Sequence, residues 1–284
     1  MARIAVIGAG PSGLMSGWAA LQMGHQVDIY EPGGADAVKR RIDSGRVNAG
    51  VFLLHDSCNL TPLRGTGRNV SYETIGSRFA KDQTDRNALS RAYADKVYGT
   101  DYQGSVSLDE YNRDALEYDG HAANALLFDV MNSSIRDGEM MAAFDKDSWL
   151  QYHDRVIVTA PLWASYGFDR FAWQLEWPRT YTQVYVHSGD APAHESYVWY
   201  APQPSVPWYR ASGVFGRFSL EYPLLPHNVI CATVTKPIAP PPDVAEWMAD
   251  IERDRRVLFA GRMGRWEKGI EQDDVHHSVF WWLR

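Results

Sequence analysis

The sequence predicts an α/β protein: a Rossmann-like dinucleotide-binding domain carrying an inserted, smaller domain of mixed helices and antiparallel sheet. Three observations lead there. The first 31 residues read as strand, glycine-rich turn, helix and strand, and residues 163–235 hold short, aromatic, proline-punctuated β-like runs. After residue 243 a helix–strand–helix pattern returns. At 284 residues there is room for one such domain with a modest insertion. The reading assigns 1–71, 142–162 and 244–284 to the dinucleotide-binding domain, 72–141 to a helical insertion and 163–243 to an antiparallel-sheet substrate domain.

The first element carries the most specific signal. Arg3-Ile4-Ala5-Val6-Ile7 is a β-branched run that meets Gly8-Ala9-Gly10-Pro11-Ser12-Gly13, and a helical stretch follows to Gly24. Val27 to Tyr30 then reads as a second strand, closed by Glu31. This is the dinucleotide-binding unit in its full context. Gly8 makes the turn off the strand, Gly10 lets the backbone approach a pyrophosphate, and Gly13 lets the helix pack close to the sheet. The helix N-terminus offers free N–H groups and partial positive charge to the phosphates. Glu31 is placed to accept hydrogen bonds from a ribose diol, and its charge would repel a 2′-phosphate. The ligand expected is therefore FAD or NAD rather than NADP. Residues 1–7 feed this fingerprint and do not read as a signal peptide.

The later elements follow in order. Residues 32–70 are glycine-rich and basic, a loop with one apolar run at 51–54. From 72 to 141 the pattern turns helical and polar, best at 122–135, with breaks at Gly99, Gly104 and Gly120. Residues 149–162 return to strand. Four β-like runs, 182–187, 196–201, 213–220 and 229–234, predict an antiparallel platform. Its aromatics include Trp163, Phe168, Phe171, Trp173, Trp177, Trp199, Trp208 and Tyr209. Pro237, Pro240, Pro241 and Pro242 make a stiff connector, followed by a helix at 244–255, a strand at 257–260 and a closing helix at 273–282.

Four stretches together resemble the FAD proteins of the amine oxidase and UDP-galactopyranose mutase group. The first is Gly8-Ala9-Gly10-Pro11-Ser12-Gly13-Leu14. The others are Gly50-Val51-Phe52-Leu53-Leu54-His55, the run from Tyr152 through Thr159-Ala160-Pro161-Leu162, and Phe259-Ala260-Gly261-Arg262 with Glu271-Gln272-Asp273. The resemblance implies FAD, with Ala160, Pro161, Gly261, Arg262, Gln272 and Asp273 beside it and His55 near the flavin. It also places the basic stretch containing Arg40 around the cofactor. No residue sits in a recognised flavinylation context, so non-covalent binding is expected. A looser match at 207–221 implies that Arg210 or Arg217 faces the substrate, beside Tyr209.

Composition narrows the chemistry. No second glycine fingerprint occurs, so reducing equivalents are expected from the substrate or an outside partner, with dioxygen as the acceptor. The two cysteines, Cys58 and Cys231, form no metal or redox pattern, and no metal is expected. No apolar run is long enough to span a bilayer, so a cytoplasmic protein without membrane contact is expected (host cytoplasm if phage-encoded). The net charge of −7 argues against general nucleic-acid binding, but it is unevenly spread. Residues 101–154 hold twelve acids to three bases, whereas 36–70 carry a net of +3 and 253–284 a net of +2. An anionic substrate fits the basic stretches; equally, some of those arginines would serve the cofactor. The expected activity is FAD-dependent cleavage or oxidation of a C–N bond in an amine or amino-acid adduct. The preferred substrate is a glycyl-modified thymine in double-stranded DNA, as in bacteriophage thymine-remodelling enzymes. A small-molecule amine or amino-acid oxidase and a mutase acting on a nucleotide-sugar are the alternatives.

Overall fold

The computed structural model describes residues 1–44, 52–76, 82–104, 106, 113–138, 144–167, 179–187, 196–223 and 232–284, with 179–187 and 232–235 described in their backbone alone. Arg46, Gly50, Val51, Phe168, Phe171, Trp173, Trp177, His227 and Cys231 lie outside the described residues.

The β-branched runs of the fingerprint form a parallel sheet. Its strands are β1 (Arg3–Ile7), β2 (Gln26–Glu31), β6 (Ile135–Asp137), β7 (Arg155–Val158) and β13 (Val257–Phe259), in the order β13-β7-β1-β2-β6. Such a sheet is buried on both faces, which is why its strands read as continuous apolar runs. One face is covered by α1 (Pro11–Gln22), α4 (Gly120–Met131) and α9 (Gln272–Leu283), through Leu14, Met15, Leu127, Met131, Val275 and Val279. On the other face Val156, Val158 and Phe259 pack with Val244 and Met248 of α7 (Pro242–Glu252). Each side chain of that size buried fully is worth about 1.5–3 kcal/mol.

The second sheet has eight strands. β3 (Leu53–Leu54), β4 (Arg68–Thr74), β5 (Arg113–Asp119), β8 (Arg179–His187), β9 (Tyr197–Tyr200), β10 (Arg210–Val214), β11 (Arg217–Tyr222) and β12 (Ala232–Pro237) run in the order β12-β8-β11-β10-β9-β4-β5-β3. The pairing is antiparallel as expected, except that β4 joins β9 in parallel.

Three local expectations are corrected. Residues 34–43 form a helix, α2 (Gly34–Asp43), not loop. The stretch read as helical from 72 to 141 holds α3 (Gln83–Tyr98) and α4, but also β4, β5 and β6. Arg113–Asp119 mixes charged with apolar residues without alternation, and it becomes a strand because β4 offers a ladder on one side and β3 on the other. Of residues 149–162, only Arg155–Val158 is strand.

α3 is fastened to the second sheet by one cation. Asp82 caps the helix, accepting from the N–H groups of Thr84 and Asp85. Near its other end the three N–H groups of Lys96 Nζ are shared among four backbone carbonyls: Ala201 at 2.7 Å, Gln203 at 2.9 Å, Val206 at 2.6 Å and Trp208 at 2.8 Å. The loop between β9 and β10 therefore winds around an ammonium group, which fixes where Tyr209 and Arg210 begin.

Candidate functional site

Two cavities lie on either side of segment 262–271. The first, about 370 Å³, lies over the C-terminal ends of β1 and β2. Ligands of open α/β sheets bind at that end of the strands. Its lining includes Gly8, Gly10, Pro11 and Ser12 of the turn, Glu31 and Arg41, and Trp149, Trp163, Ala160 and Pro161. The last two glycines of the turn behave oppositely. A Cβ on Gly13 would lie 1.8 Å from the Gly8 carbonyl oxygen, so helix and turn touch directly there. At Gly10, the N-cap of α1 with φ −72° and ψ −178°, an added Cβ would meet nothing within 4 Å. The open space at Gly10 is therefore on the cavity side, where a phosphate would approach the free N–H groups of the helix.

Glu31 is buried and holds the turn shut. Its Oε2 accepts the Ala9 N–H at 2.7 Å, and its Oε1 accepts from Arg41 Nη1 at 2.6 Å. Each carboxylate oxygen keeps a lone pair for a further donor. Arg40 is exposed on α2 and does not line the cavity, which corrects its assignment to the cofactor; Arg41 does. Consecutive helix residues point about 100° apart, so only one of the pair can face Glu31.

The C-terminal segment converges on the same turn. Gly261 opens α8 (Gly261–Arg265) against Ser12, and Gln272, at the start of α9, donates to the Pro11 carbonyl at 3.1 Å and to Asn124 Oδ1 at 3.0 Å. Several polar atoms around this seam are buried without a protein partner among the described residues: Arg41 Nη2, Asn124 Nδ2, Arg262 Nε, Gln272 Oε1 and Asp273 Oδ1. Burial also raises the Asp273 carboxyl above its ordinary value. Buried polar groups are paired in folded proteins almost without exception, so this set fits an extended ligand with donors and acceptors of its own. A dinucleotide laid from Glu31 past Gly10 to Asp273 meets that description.

The second cavity, about 420 Å³, is the polar one. Its floor is one face of the eight-stranded sheet, and α3 covers it with Tyr93, Val97 and Tyr98. Segment 262–271 closes the side towards the first cavity: α8 puts Met263 in one wall and Arg262 in the other. Strand register lines up the floor, since Glu221 faces Arg210, Arg210 faces Tyr200 and Tyr200 faces Thr74 across β11, β10, β9 and β4. Five cationic side chains line it, Arg113, Arg210, Lys236, Arg262 and Lys268, against one lining carboxylate, Glu271.

Arg210 pairs with Glu221, whose other oxygen accepts from Tyr209 at 2.7 Å and from Lys236 Nζ at 2.7 Å. Burial alone would raise the Glu221 carboxyl, but Arg210 and Lys236 outweigh it and hold it at about 2. Burial pushes Lys236 down to about 8, against the pull of Glu221. Tyr209 is engaged with its hydroxyl and sits edge-on to Tyr93, so it braces the arginine and offers no open stacking face. Arg217 lies outside the cavity, which corrects its candidacy. It sits on the exposed end of the β10–β11 hairpin beside the turn at Phe215 and Gly216. His55 follows β3 and lines the polar cavity, with Nδ1 at 2.7 Å and 2.8 Å from the two oxygens of Glu117. Glu117 and Lys236 were not among the candidates from sequence.

Half of the described cations in the basic stretches, six of twelve, are paired with carboxylates. Lys39 pairs with Asp43, Arg41 with Glu31, Arg253 with Asp250, Arg256 with Asp254, Arg262 with Glu271 and Arg265 with Glu252. Cys58 is buried and unbonded, as expected, and burial raises its thiol. Among the described residues no helix is long and apolar enough to cross a membrane.

No family model matches the chain, and no curated protein matches it. Among solved structures, reduced UDP-galactopyranose mutase aligns with 100% of this chain and 95% of its own, at a TM-score of 0.51 and 14% identity. A variant of HpxO from Klebsiella pneumoniae complexed with FAD aligns over 99% and 80%, at 0.45 and 13%. The PF1083 protein from Pyrococcus furiosus aligns over 99% and 96%, at 0.45 and 12%. The first of these likenesses is one of fold: a dinucleotide-binding-type parallel sheet joined to a second, mixed sheet.

Proposed function

We propose that this protein is an FAD-dependent enzyme that oxidises or cleaves the C–N bond of an amine or amino-acid adduct bearing an anionic group. The observation that carries the reading is the pair of cavities on either side of one seam, the first edged by the glycine turn and the second lined by cations. Glu31 would hold the ribose of FAD, Gly10 and Ser12 its pyrophosphate, and Gly261, Gln272 and Asp273 the end towards the flavin. When bound, FAD supplies an isoalloxazine ring that accepts a hydride. Dioxygen is the electron acceptor we assign.

The chain's own residues do the rest. Arg210 and Arg262 hold the anionic group of the substrate, since each has a buried Nε with no partner among the described residues. Lys236 Nζ, pushed down to about 8 by burial, takes a proton from the substrate's ammonium when it is itself neutral, above that value, so that the amine enters the reaction neutral. Tyr93, Tyr98 and Tyr200 enclose the reacting part and exclude water. The anionic group assigned here is a carboxylate within the cavity, where Arg210 and Arg262 line one space. A glycyl-thymine presented by DNA supplies amine and carboxylate together and remains the substrate we rank first. A free amino acid is the competitor.

A second reading is favoured by the tyrosines that stand beside Arg113, Arg210 and Arg262: redox-neutral chemistry on a nucleotide-sugar. One experiment separates all three. The flavin-loaded protein is mixed anaerobically with glycyl-thymine duplex, free amino acids, simple amines or a nucleotide-sugar, and loss of flavin absorbance is followed with product mass. Bleaching by the duplex alone supports the DNA substrate, and bleaching by free amino acids transfers the assignment to them. Turnover of the nucleotide-sugar only after dithionite reduction refutes C–N chemistry.

A further inference from the structure

The polar floor ends, at the β3 edge of the sheet, in three hydrogen-bonded side chains. Tyr72 on β4, Glu117 on β5 and His55 just after β3 stand on three adjacent strands. Tyr72 donates its hydroxyl to Glu117 Oε1 at 2.7 Å, and His55 Nδ1 lies within 2.8 Å of both Glu117 oxygens. Glu117 is 0% exposed. A carboxylate this deep needs a cation or a proton, and among the described residues its ion-pair partner is His55. The Tyr72 hydroxyl and the imidazole Nδ1–H both donate to this one carboxylate, so they hold it ionised together and compete for its charge. Nδ1 is then committed to Glu117, and Nε2 is the nitrogen left for the cavity.

We propose that Glu117 is a positioning residue that keeps His55 as an imidazolium, so that the β3 end of the polar cavity binds an oxyanion of the substrate through Nε2–H. This rests on the reading of the polar cavity as the substrate site and not on the flavin. The groups facing His55 support it. The hydrogen bond to Glu117 raises its affinity for a proton most, burial opposes, and the charges of Glu117, Asp273 and Glu271 add to the rise. Arg113, Arg210, Lys236, Arg262 and Lys268 share the cavity and act in the opposite sense. Histidine charge raised in this way is present below the shifted midpoint and lost as pH rises through it, so anion binding at this end weakens in the same direction.

The test uses purified protein labelled with 15N-histidine, with the His55 signal assigned by its absence in H55Q. His55 should titrate above the ordinary histidine range. E117Q should lower that midpoint by about one unit, a tenfold change in the ratio of protonated to neutral imidazole, and weaken binding of acetate by about tenfold at a pH above both midpoints. Chloride at equal ionic strength should not mimic acetate. Y72F removes a donor that competes for the carboxylate and should move the midpoint up, a sign that loss of structure would not produce. An ordinary midpoint in the unaltered protein, or acetate binding unchanged in E117Q, overturns the proposal. Should E117Q fail to fold, an unmoved or lowered midpoint in Y72F overturns it instead. Flavin content read on the same samples keeps the two readings apart. Flavin-free protein with a raised His55 midpoint sinks the cofactor reading alone.

Discussion

Replacing Gly10 with alanine separates what the fold requires of the fingerprint from what a ligand requires. An added Cβ there meets no protein atom within 4 Å, and the backbone at φ −72° and ψ −178° is one that alanine adopts freely. Alanine is a poorer N-cap than glycine, but it restricts the unfolded chain by about 0.4–1 kcal/mol, so the two effects offset to within about 1 kcal/mol. The methyl group nevertheless fills the space in which a pyrophosphate would reach the N–H groups of α1. Charge-assisted hydrogen bonds are worth about 1.5–3 kcal/mol each, so forfeiting two should weaken FAD by about 10²–10⁴-fold. The assay is a pair of curves: chemical denaturation of the apoprotein, and fluorescence-quenching titration with FAD. Unchanged FAD affinity in G10A would remove the pyrophosphate from this turn. Loss of folding would instead refute the open space. G13A is the internal contrast, because its methyl would overlap the Gly8 carbonyl and should cost stability by about 3 kcal/mol.

Three further outcomes follow from named contacts. R41A should weaken FAD by about tenfold, through loss of one charge-assisted contact beside the ribose, while R40A should leave a titration unchanged; equal effects would undo the distinction between them. K96M should lower stability in urea by about 1.5–3 kcal/mol, since four carbonyls lose their ammonium donor, and a loss below about 0.5 kcal/mol would show that the β9–β10 loop holds itself. Lys236 is charged below about 8 and neutral above it, so acetate binding to the polar cavity should fall as pH rises through that value. K236R keeps its charge and should abolish that step, and a step that persists in K236R would assign it to another group.

The parts of this molecule that were legible in the sequence are those set by neighbours in the chain. The β1–α1–β2 unit needs glycines at fixed offsets and apolar runs of fixed length, and both are local. The same holds for the helix after the proline connector, whose bounds fall within three residues of expectation, and for α9, whose bounds fall within one. What escaped was decided by distant partners. Arg113–Asp119 reads as polar helix or loop until β3 and β4 hydrogen-bond to it. Glu117 lies in an acidic stretch and gains its role from His55, 62 residues earlier. Lys236 looked like the flank of a proline run because its partner, Glu221, is across two strands. Arg210 and Arg217 even project from the same face of the hairpin, and only the position of its turn leaves Arg217 in solvent.

The division between the two cavities has a consequence for how function can be dissected. The first depends on backbone: glycine geometry, helix N-termini and the buried Glu31 that ties Ala9 to Arg41. The second depends on side chains whose charges balance in pairs, with Glu221 answering Arg210 and Lys236 at one end and Glu117 answering His55 at the other. Removing one member of such a pair leaves a buried charge uncompensated, which costs more than the pair contributes. R210A would therefore report the exposure of Glu221 as much as the loss of a substrate contact, and R210K, which keeps the charge but loses the guanidinium fork, is the cleaner probe. Gly10 and Glu117 stand on opposite sides of the seam and share no contact. Their substitutions should add in a double-mutant cycle, with G10A moving flavin affinity, E117Q moving the His55 titration, and neither changing the other's readout. Coupling between them above about 0.5 kcal/mol would mean that the two cavities act as one site, and that cofactor and substrate anion are held by a common element.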